Sequence, residues 1–339
     1  MNQQALKIYR DLSKREEELE LYKEYLENLF PHINSESADF YWNDFLDITK
    51  EIIAIFVELG HLTMRDYYVT KLRDVTVTDK IFIEVMRELY SLTVEFRKDY
   101  EENIRCCALC KEKIFYMPLP EEYGILQKRY HVTETRPETL NKKEYICPIC
   151  GSLDRDRLII SYLDRCEFLR NSESSLLQIA PTKTIESYLL SKYPELNYAS
   201  ADLYMEGVTF QVDLQDMNII PDNSYSMWIC SHVLEHIPDD RKALRELHRI
   251  LKPNGIGLLL VPLDLNVLET DEEIGCSEEE NWRRFGQGDH VRKYAKKDFM
   301  KRITESGFSL ECLGKEYFGE QLFKENGLSD TATLYVVRK

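Results

Sequence analysis

The sequence predicts an α/β protein: a doubly wound, mostly parallel sheet of seven strands, preceded by a small zinc-ribbon-like domain and an N-terminal helical region. Three observations carry this. From about residue 170 onward, short apolar runs alternate with amphipathic helical segments. Ahead of them, two CxxC pairs lie in a loop-rich stretch, and before that apolar residues recur at helical spacing. The expected division is 1–103 (helical), 104–160 (zinc-ribbon-like) and 170–339 (α/β).

In the first hundred residues, Leu12, Leu19, Tyr22, Leu26 and Leu29 recur in steps of three, four or seven, which places them on one helix face. Trp42, Phe45, Thr49, Ile52, Phe56 and Leu59 repeat the pattern, ended by Gly60, and Ile81, Val85, Leu89, Leu92 and Phe96 form a third such set. A helical bundle or hairpin follows, packing on the rest of the chain or joining two copies as a homodimer. No catalytic constellation stands out there.

The next stretch is rich in Tyr, Pro, Cys and Lys and has no sustained helical period. Cys107 and Cys110 are followed, 36 residues later, by Cys147 and Cys150. Two such knuckles can close four thiolates around one structural zinc, a borderline-soft ion suited to sulfur. Cys106 competes with Cys107 for that role by spacing alone. A redox pair is the alternative, but two CxxC pairs in one short segment favour the metal. The nine cysteines are odd in number and no secretory signal precedes them, so a disulfide framework is not expected and the location is read as cytoplasmic.

Composition narrows the partners. A chain of 339 residues with net charge −16 repels a phosphate backbone, which argues against general nucleic-acid binding. One basic stretch, Arg292, Lys293, Lys296, Lys297, Lys301 and Arg302, reads as a solvated helix face. No apolar run approaches the roughly 20 residues of a membrane span.

Strands are expected at 176–180, 197–203, 209–214, 226–231, 256–261, 309–314 and 333–337, with helices at 184–192, 239–251 and 296–306. The central helix carries Ala243, Leu244, Leu247, Ile250 and Leu251 on one face. Pro238 opens it and Lys252-Pro253-Asn254-Gly255 closes it. The last two strands are joined without a long helix, as for a reversed edge strand.

Ligands of such a sheet bind beyond the carboxyl ends of its strands. There lie Gln178-Ile179-Ala180-Pro181-Thr182 after the first strand, and Asp202, able to hold two ribose hydroxyls, after the second. Asp213, able to accept from an exocyclic amine of adenine, follows the third, and Cys230-Ser231-His232-Val233-Leu234-Glu235-His236 closes the fourth. Two acids in order, then a His-rich turn, point to a nucleoside ligand.

The segment CSHVLEHIPDDRKALRELHRILKPNG resembles the stretch after strand four of class I methyltransferases of the type 11 group. ICPICGSLDRDRL, SLLQIAP and FGQGDHVRKY are similar to a bacterial subgroup with a zinc-ribbon-like segment ahead of a Rossmann-like methyltransferase core. The likeness covers about Cys147 to Lys339. It implies S-adenosylmethionine bound at Gln178, Ala180 and Pro181, at Asp202 with Leu203, at Asp213 with Leu214, and at Ser231 and His232. Gln178 stands where the family has an acid, and Ala180, Thr182 and Thr184 where it has glycines; Ser226 replaces an Asp.

His290, in the polar loop after the fifth strand, is the first choice for a base, with His232 the second. Asp289 could orient that base or bind a sugar hydroxyl, and Arg292 could hold a phosphate or carboxylate of the acceptor. His236 is expected to cap or pack the following helix, and Glu235 is open between a pocket acid and a helix-start charge. Arg155 and Arg157 could clamp an anionic acceptor or pair with acids near the core. The expected activity is S-adenosylmethionine-dependent methyl transfer to a small-molecule or carbohydrate-like acceptor, as in polysaccharide or secondary-metabolite synthesis. The alternative, motivated by the missing glycines, is a non-catalytic interaction protein with a degenerate methyltransferase core and a zinc ribbon.

Overall fold

A computed structural model describes residues 105–114, 116–133, 135–170 and 173–339. The helices expected over 1–103, and a homodimer through them, lie outside the described residues. The chain divides into two compact units. One holds residues 1–104, 112–117 and 147–150, of which 112–114, with the strand Lys113–Ile114, 116–117 and 147–150 are described. The other holds residues 105–111, 118–146 and 151–339.

The second unit is built on a seven-stranded sheet. Its strands are β1 (Ser175–Ile179), β2 (Asn197–Asp202), β3 (Phe210–Gln211), β4 (Tyr225–Ser231), β5 (Leu251–Leu260), β6 (Ser309–Leu313) and β7 (Leu334–Arg338). They stand in the order β6-β7-β5-β4-β1-β2-β3. The β1–β2, β2–β3, β1–β4 and β4–β5 pairs are parallel. β7 alone runs against both its neighbours. The order reverses between β1 and β4, so the crevice beyond their carboxyl ends is the switch point.

Both faces are covered, which is why the strands read as near-continuous apolar runs. Side chains alternate across the sheet: Leu176, Met227, Ile229, Leu258, Leu334 and Val336 enter one core. Leu177, Trp228, Cys230, Leu259, Tyr335 and Val337 enter the other. The eight helices used below are α1 (Glu121–Arg129), α2 (Asp154–Leu163), α3 (Lys183–Lys192), α4 (Asp240–Ile250), α5 (Glu278–Phe285), α6 (Lys296–Glu305), α7 (Lys315–Phe318) and α8 (Glu320–Glu325). α2 and α3 pack on the first face, through Leu158, Tyr162, Ile185 and Leu189. α4 and α6 pack on the second, through Ala243, Leu244, Leu247, Phe299 and Ile303. Asp239 caps α4 by accepting from the Lys242 N–H at 2.9 Å.

Two expectations are corrected. The stretch after Cys110 contains a helix, α1, although its apolar residues follow no helical period. The basic stretch is not a solvated face at its two arginines: Arg292 and Arg302 are buried against Glu272 and Asp240. Among the described residues no helix is long and apolar enough to cross a membrane.

Candidate functional site

The turns beyond β1, β2 and β4 lie side by side at the carboxyl ends of neighbouring parallel strands. After β1, Ala180 takes the left-handed conformation (φ 47°) and its N–H donates to the Ala201 carbonyl at 2.8 Å. The chain therefore turns sharply through Pro181, and Thr182 caps α3 through the Ile185 N–H. A glycine would hold this conformation freely; here an alanine does so. Gln178, at the acid position, is buried and accepts from the Tyr198 hydroxyl at 3.0 Å.

After β2, Asp202 Oδ1 accepts from the N–H groups of Tyr204 and Met205 at 2.7 and 2.8 Å, which shapes the loop bearing Leu203. Leu203, Tyr204 and Met205 are exposed. Asp213 Oδ1 accepts from the Gln215 N–H at 2.8 Å, and Leu214 is buried beside it. After β4, Ser231 Oγ is buried without a hydrogen-bond partner. His232 is left-handed (φ 56°), with its N–H on the Leu260 carbonyl. The left-handed Ala180 and the orphaned Ser231 hydroxyl fit a cofactor that approaches the backbone closely and offers polar partners.

Next to this crevice is a cavity of about 390 Å³. His232, Glu235, His236 and His290 line one part of it; Tyr123, Gln127, Glu138, Tyr145, Arg155 and Lys293 line others. Several of these groups come from residues 118–155, which the sequence assigned to a separate domain. α1 brings Tyr123 to the cavity, and the Tyr123 hydroxyl donates to the Gly286 carbonyl at 3.3 Å. Just past α1, Tyr130 stacks on Trp282 of α5 at 5.4 Å. Glu138 is buried, accepts from the Tyr335 hydroxyl and pairs with Lys296 at 2.7 Å. Arg155 reaches the cavity with its Nη1 on the Tyr145 hydroxyl at 3.1 Å. Arg157 does not clamp a ligand: it is fully buried and donates to the carbonyls of Glu144, Tyr145, Ser152 and Asn326.

The carboxylate of Glu235 is the most deeply buried acid in the cavity wall, and neither of its oxygens has a hydrogen-bond partner. Burial pushes its carboxyl up to about 8. His232 Nδ1 lies 3.5 Å and His236 Nε2 3.9 Å from Glu235 Oε1. Burial holds His232 well below the usual imidazole range and His290 down to about 4. Asp289 is exposed and sits 3.2 Å from His236 Nδ1, so it orients His236 and not His290. Glu235 thus proves to be a pocket acid, and His236 faces the cavity instead of only packing on α4.

Arg292 is placed elsewhere than expected. Its guanidinium donates to the carbonyls of Leu234, Ile237 and Pro238 and to Glu272, which leaves it committed to holding the turn before α4. It faces a second hollow with Asp239, Asp240 and Glu273 and is not among the residues lining the His290 cavity. The signal for Glu235 and His236 was present in the spacing of HVLEHIP. No sequence signal marks Tyr123, Tyr145 or Glu138.

The sulfurs of Cys107, Cys110, Cys147 and Cys150 lie within 4.8 Å of one another, a set that could hold zinc. Cys106 is exposed and outside that group; its thiol reaches the Lys111 carbonyl.

Residues 188–259 match the family described as a methyltransferase domain. No curated protein matches the chain closely enough to count as a relative. Among solved structures, the chain is similar to an S-adenosylmethionine-dependent methyltransferase from Mesorhizobium loti. The identity is 12%, covering 53% of this chain and 98% of that one, with a TM-score of 0.37. It is also similar to the YcgJ protein from Bacillus subtilis, at 16% identity over 54% of this chain and 95% of that one, TM-score 0.34. The matched segment runs from α3 through β5 and takes in β2, β3 and β4, beginning after β1. That segment of the second unit is a methyltransferase-family segment, set in a seven-stranded sheet whose order reverses between β1 and β4.

Proposed function

We propose that this chain is a class I S-adenosylmethionine-dependent methyltransferase acting on a small polar acceptor, carbohydrate-like in its hydroxyl content, held in the cavity beside His232. The observation that carries this reading is the cavity itself. Its volume of about 390 Å³ suits a small molecule, and its wall mixes apolar side chains with converging imidazoles, a carboxylate and a guanidinium.

S-adenosylmethionine, when bound, supplies an activated methyl group. The residues proposed to hold it are Gln178, Ala180 and Pro181, Asp202 and Leu203 for the ribose, Asp213 and Leu214 for the base, and Ser231 and His232 near the reacting end. Methyl transfer from a sulfonium is an in-line displacement, so the protein acts mainly by aligning acceptor and donor. His232 lies at the junction of crevice and cavity, where it positions the acceptor atom. His290 stands further into the cavity with Nδ1 buried and unpartnered, able to accept a hydrogen bond from an acceptor hydroxyl. Burial keeps both imidazoles neutral near pH 7, the state in which a ring nitrogen accepts.

Calorimetric titration tests the donor side. S-adenosylmethionine and its demethylated product should both bind; no heat with either at millimolar concentration would sink the enzyme reading in favour of a non-catalytic binding protein. On the acceptor side, His290→Ala should lower turnover about 100-fold while leaving cofactor affinity near wild type. Equal loss of both would assign His290 a structural role. The four cysteines are proposed to hold a structural zinc. Elemental analysis should find it in the purified chain, and the Cys147→Ser/Cys150→Ser pair should release it; unchanged zinc in that variant would refute the site.

A further inference from the structure

We propose that Glu235, His236 and His290 form a metal site inside the acceptor cavity, for a divalent ion of the first transition row. One ligand atom from each lies within 4.8 Å of the others. Ligands about 2.0–2.2 Å from one ion stand roughly 3–4 Å apart, so a small side-chain adjustment closes the set. Nothing in the mechanism above uses the Glu235 carboxylate, yet it is fully buried with both oxygens unsatisfied. A buried acid without partners is expensive, and a cation is the partner that would satisfy it.

Both imidazoles are already set as ligands. His236 has Nδ1 against Asp289 Oδ2 at 3.2 Å, which places the ring proton there and leaves Nε2 with its lone pair toward Glu235. This is the carboxylate–histidine arrangement that supports metal ligation. His290 bonds the Phe285 backbone through one ring nitrogen, and its Nδ1 is the buried, unpartnered one. The two rings meet edge to face with centroids 4.7 Å apart. His232 Nδ1, 3.5 Å from Glu235 Oε1, flanks the set.

Neither arginine near Glu235 replaces a cation, since Arg292 is committed to the carbonyls of Leu234, Ile237 and Pro238 and to Glu272. Arg155 faces the same cavity, but its guanidinium is bonded to Tyr145 and not to the carboxylate. Two neutral nitrogens and one carboxylate suit Mn²⁺ through Zn²⁺ better than Mg²⁺ or Ca²⁺, which prefer all-oxygen shells. An ion there would keep positions open toward the cavity. On the methyltransferase reading, His290 Nδ1 would be occupied as a ligand once the ion is bound, and the acceptor hydroxyl oxygen would take an open position on the ion in place of its hydrogen bond to Nδ1; its proton, made easier to lose, would pass to cavity water. That role rests on the reading above; the site does not.

The test is titration of Mn²⁺ into the full chain, given one equivalent of zinc so that its four clustered cysteines alone are loaded, followed by the paramagnetic resonance of the free ion. Mn²⁺ avoids the thiolates, so binding reports the nitrogen–oxygen site. One ion per chain is expected, and Glu235→Gln and His290→Gln should each weaken it about ten-fold or more. Mn²⁺ should also raise the melting midpoint of the wild type and not that of either variant. Glu235→Gln removes an unpaired buried acid, so its metal-free midpoint should equal or exceed wild type, which separates lost binding from lost folding. The proposal is overturned if the wild type binds no Mn²⁺ at millimolar concentration, or if both variants bind as tightly as wild type. S-adenosylmethionine titrated into the same samples keeps the two readings apart. Metal binding without cofactor binding would leave the site standing and remove the methyltransferase assignment.

Discussion

At Ala180 a Cβ sits in a conformation that costs an L-residue about 1–2 kcal/mol relative to the right-handed one. The same holds at His232, so two non-glycine residues in left-handed backbone flank the crevice at the ends of β1 and β4. Strain kept at such places is stored where a ligand meets backbone. Ala180→Gly should relieve it. Set against the greater freedom glycine gives the unfolded chain, the net gain should be up to about 1 kcal/mol in a denaturant melt. Calorimetry should show S-adenosylmethionine bound as tightly or more so. A clear fall in stability would mean that the turn is not strained. The sequence marked this position because an alanine stood where glycines were expected. It left Glu235 open, since one acid at a helix start reads equally as a charge facing the dipole. Which it is depends on a fold contact: the Val291 N–H takes the Glu235 carbonyl, and His290 comes to lie over the turn.

Strands were legible as elements because both faces of the sheet are buried, so each apolar run had one explanation. The limits moved where packing intervened. β3 is confined to Phe210–Gln211 at the edge, and β5 begins at Leu251, with a register irregularity against β4 near Tyr225 and Met227. Close approach also marks Gly257 in β5, where a Cβ would overlap the Trp228 indole of β4. α1 and α5 were missed for a physical reason. They meet through a few aromatics, Tyr123 and Tyr130 with Trp282, and carry no periodic apolar stripe; Ile125 of α1 even stays exposed. The short antiparallel ribbon of Asp271–Glu272 and Arg292–Lys293 was invisible for the same reason, although it ties α4 to α6. There, hydrogen bonds from Arg302 and Arg292 hold the Glu272 carboxyl down to about 2, against an ordinary value of 4.5. A lowered folded value means stability that is present above about 4.5 and is lost as pH falls toward 2. The melting-midpoint gap between wild type and Glu272→Gln should therefore shrink as pH falls through that window. A gap that stays constant down to pH of about 2.5 would show that the pairing adds nothing to stability.

At the scale of the molecule, the sequence separated a zinc-ribbon-like stretch from a methyltransferase domain starting near residue 170, yet residues 118–146 and 151–339 fall in one unit. Residues 118–160 read as part of the zinc-ribbon-like stretch because their anchors to the sheet are long-range and polar. Arg157 holds carbonyls from Glu144 to Asn326, and Glu138 accepts from Tyr335 on β7. Such ties are set by tertiary geometry and leave no period in the chain.

Those ties have a bearing on how specificity can change. The residues proposed for the donor come from 178–232: Asp202 to His232 fall in the part of the chain that matches the methyltransferase family, and Gln178, Ala180 and Pro181 lie just ahead of it. Much of the acceptor cavity is supplied by 119–155 and 285–293, outside the matched segment. On the proposed reading, donor and acceptor are written in largely separate passages of the chain, which meet at His232, Glu235 and His236. Substitution in one passage can redirect the enzyme to a new acceptor without disturbing its methyl source. A chain cut at residue 170 would keep the donor turns and lose Tyr123, Glu138, Tyr145 and Arg155, and with them the means of choosing what is methylated.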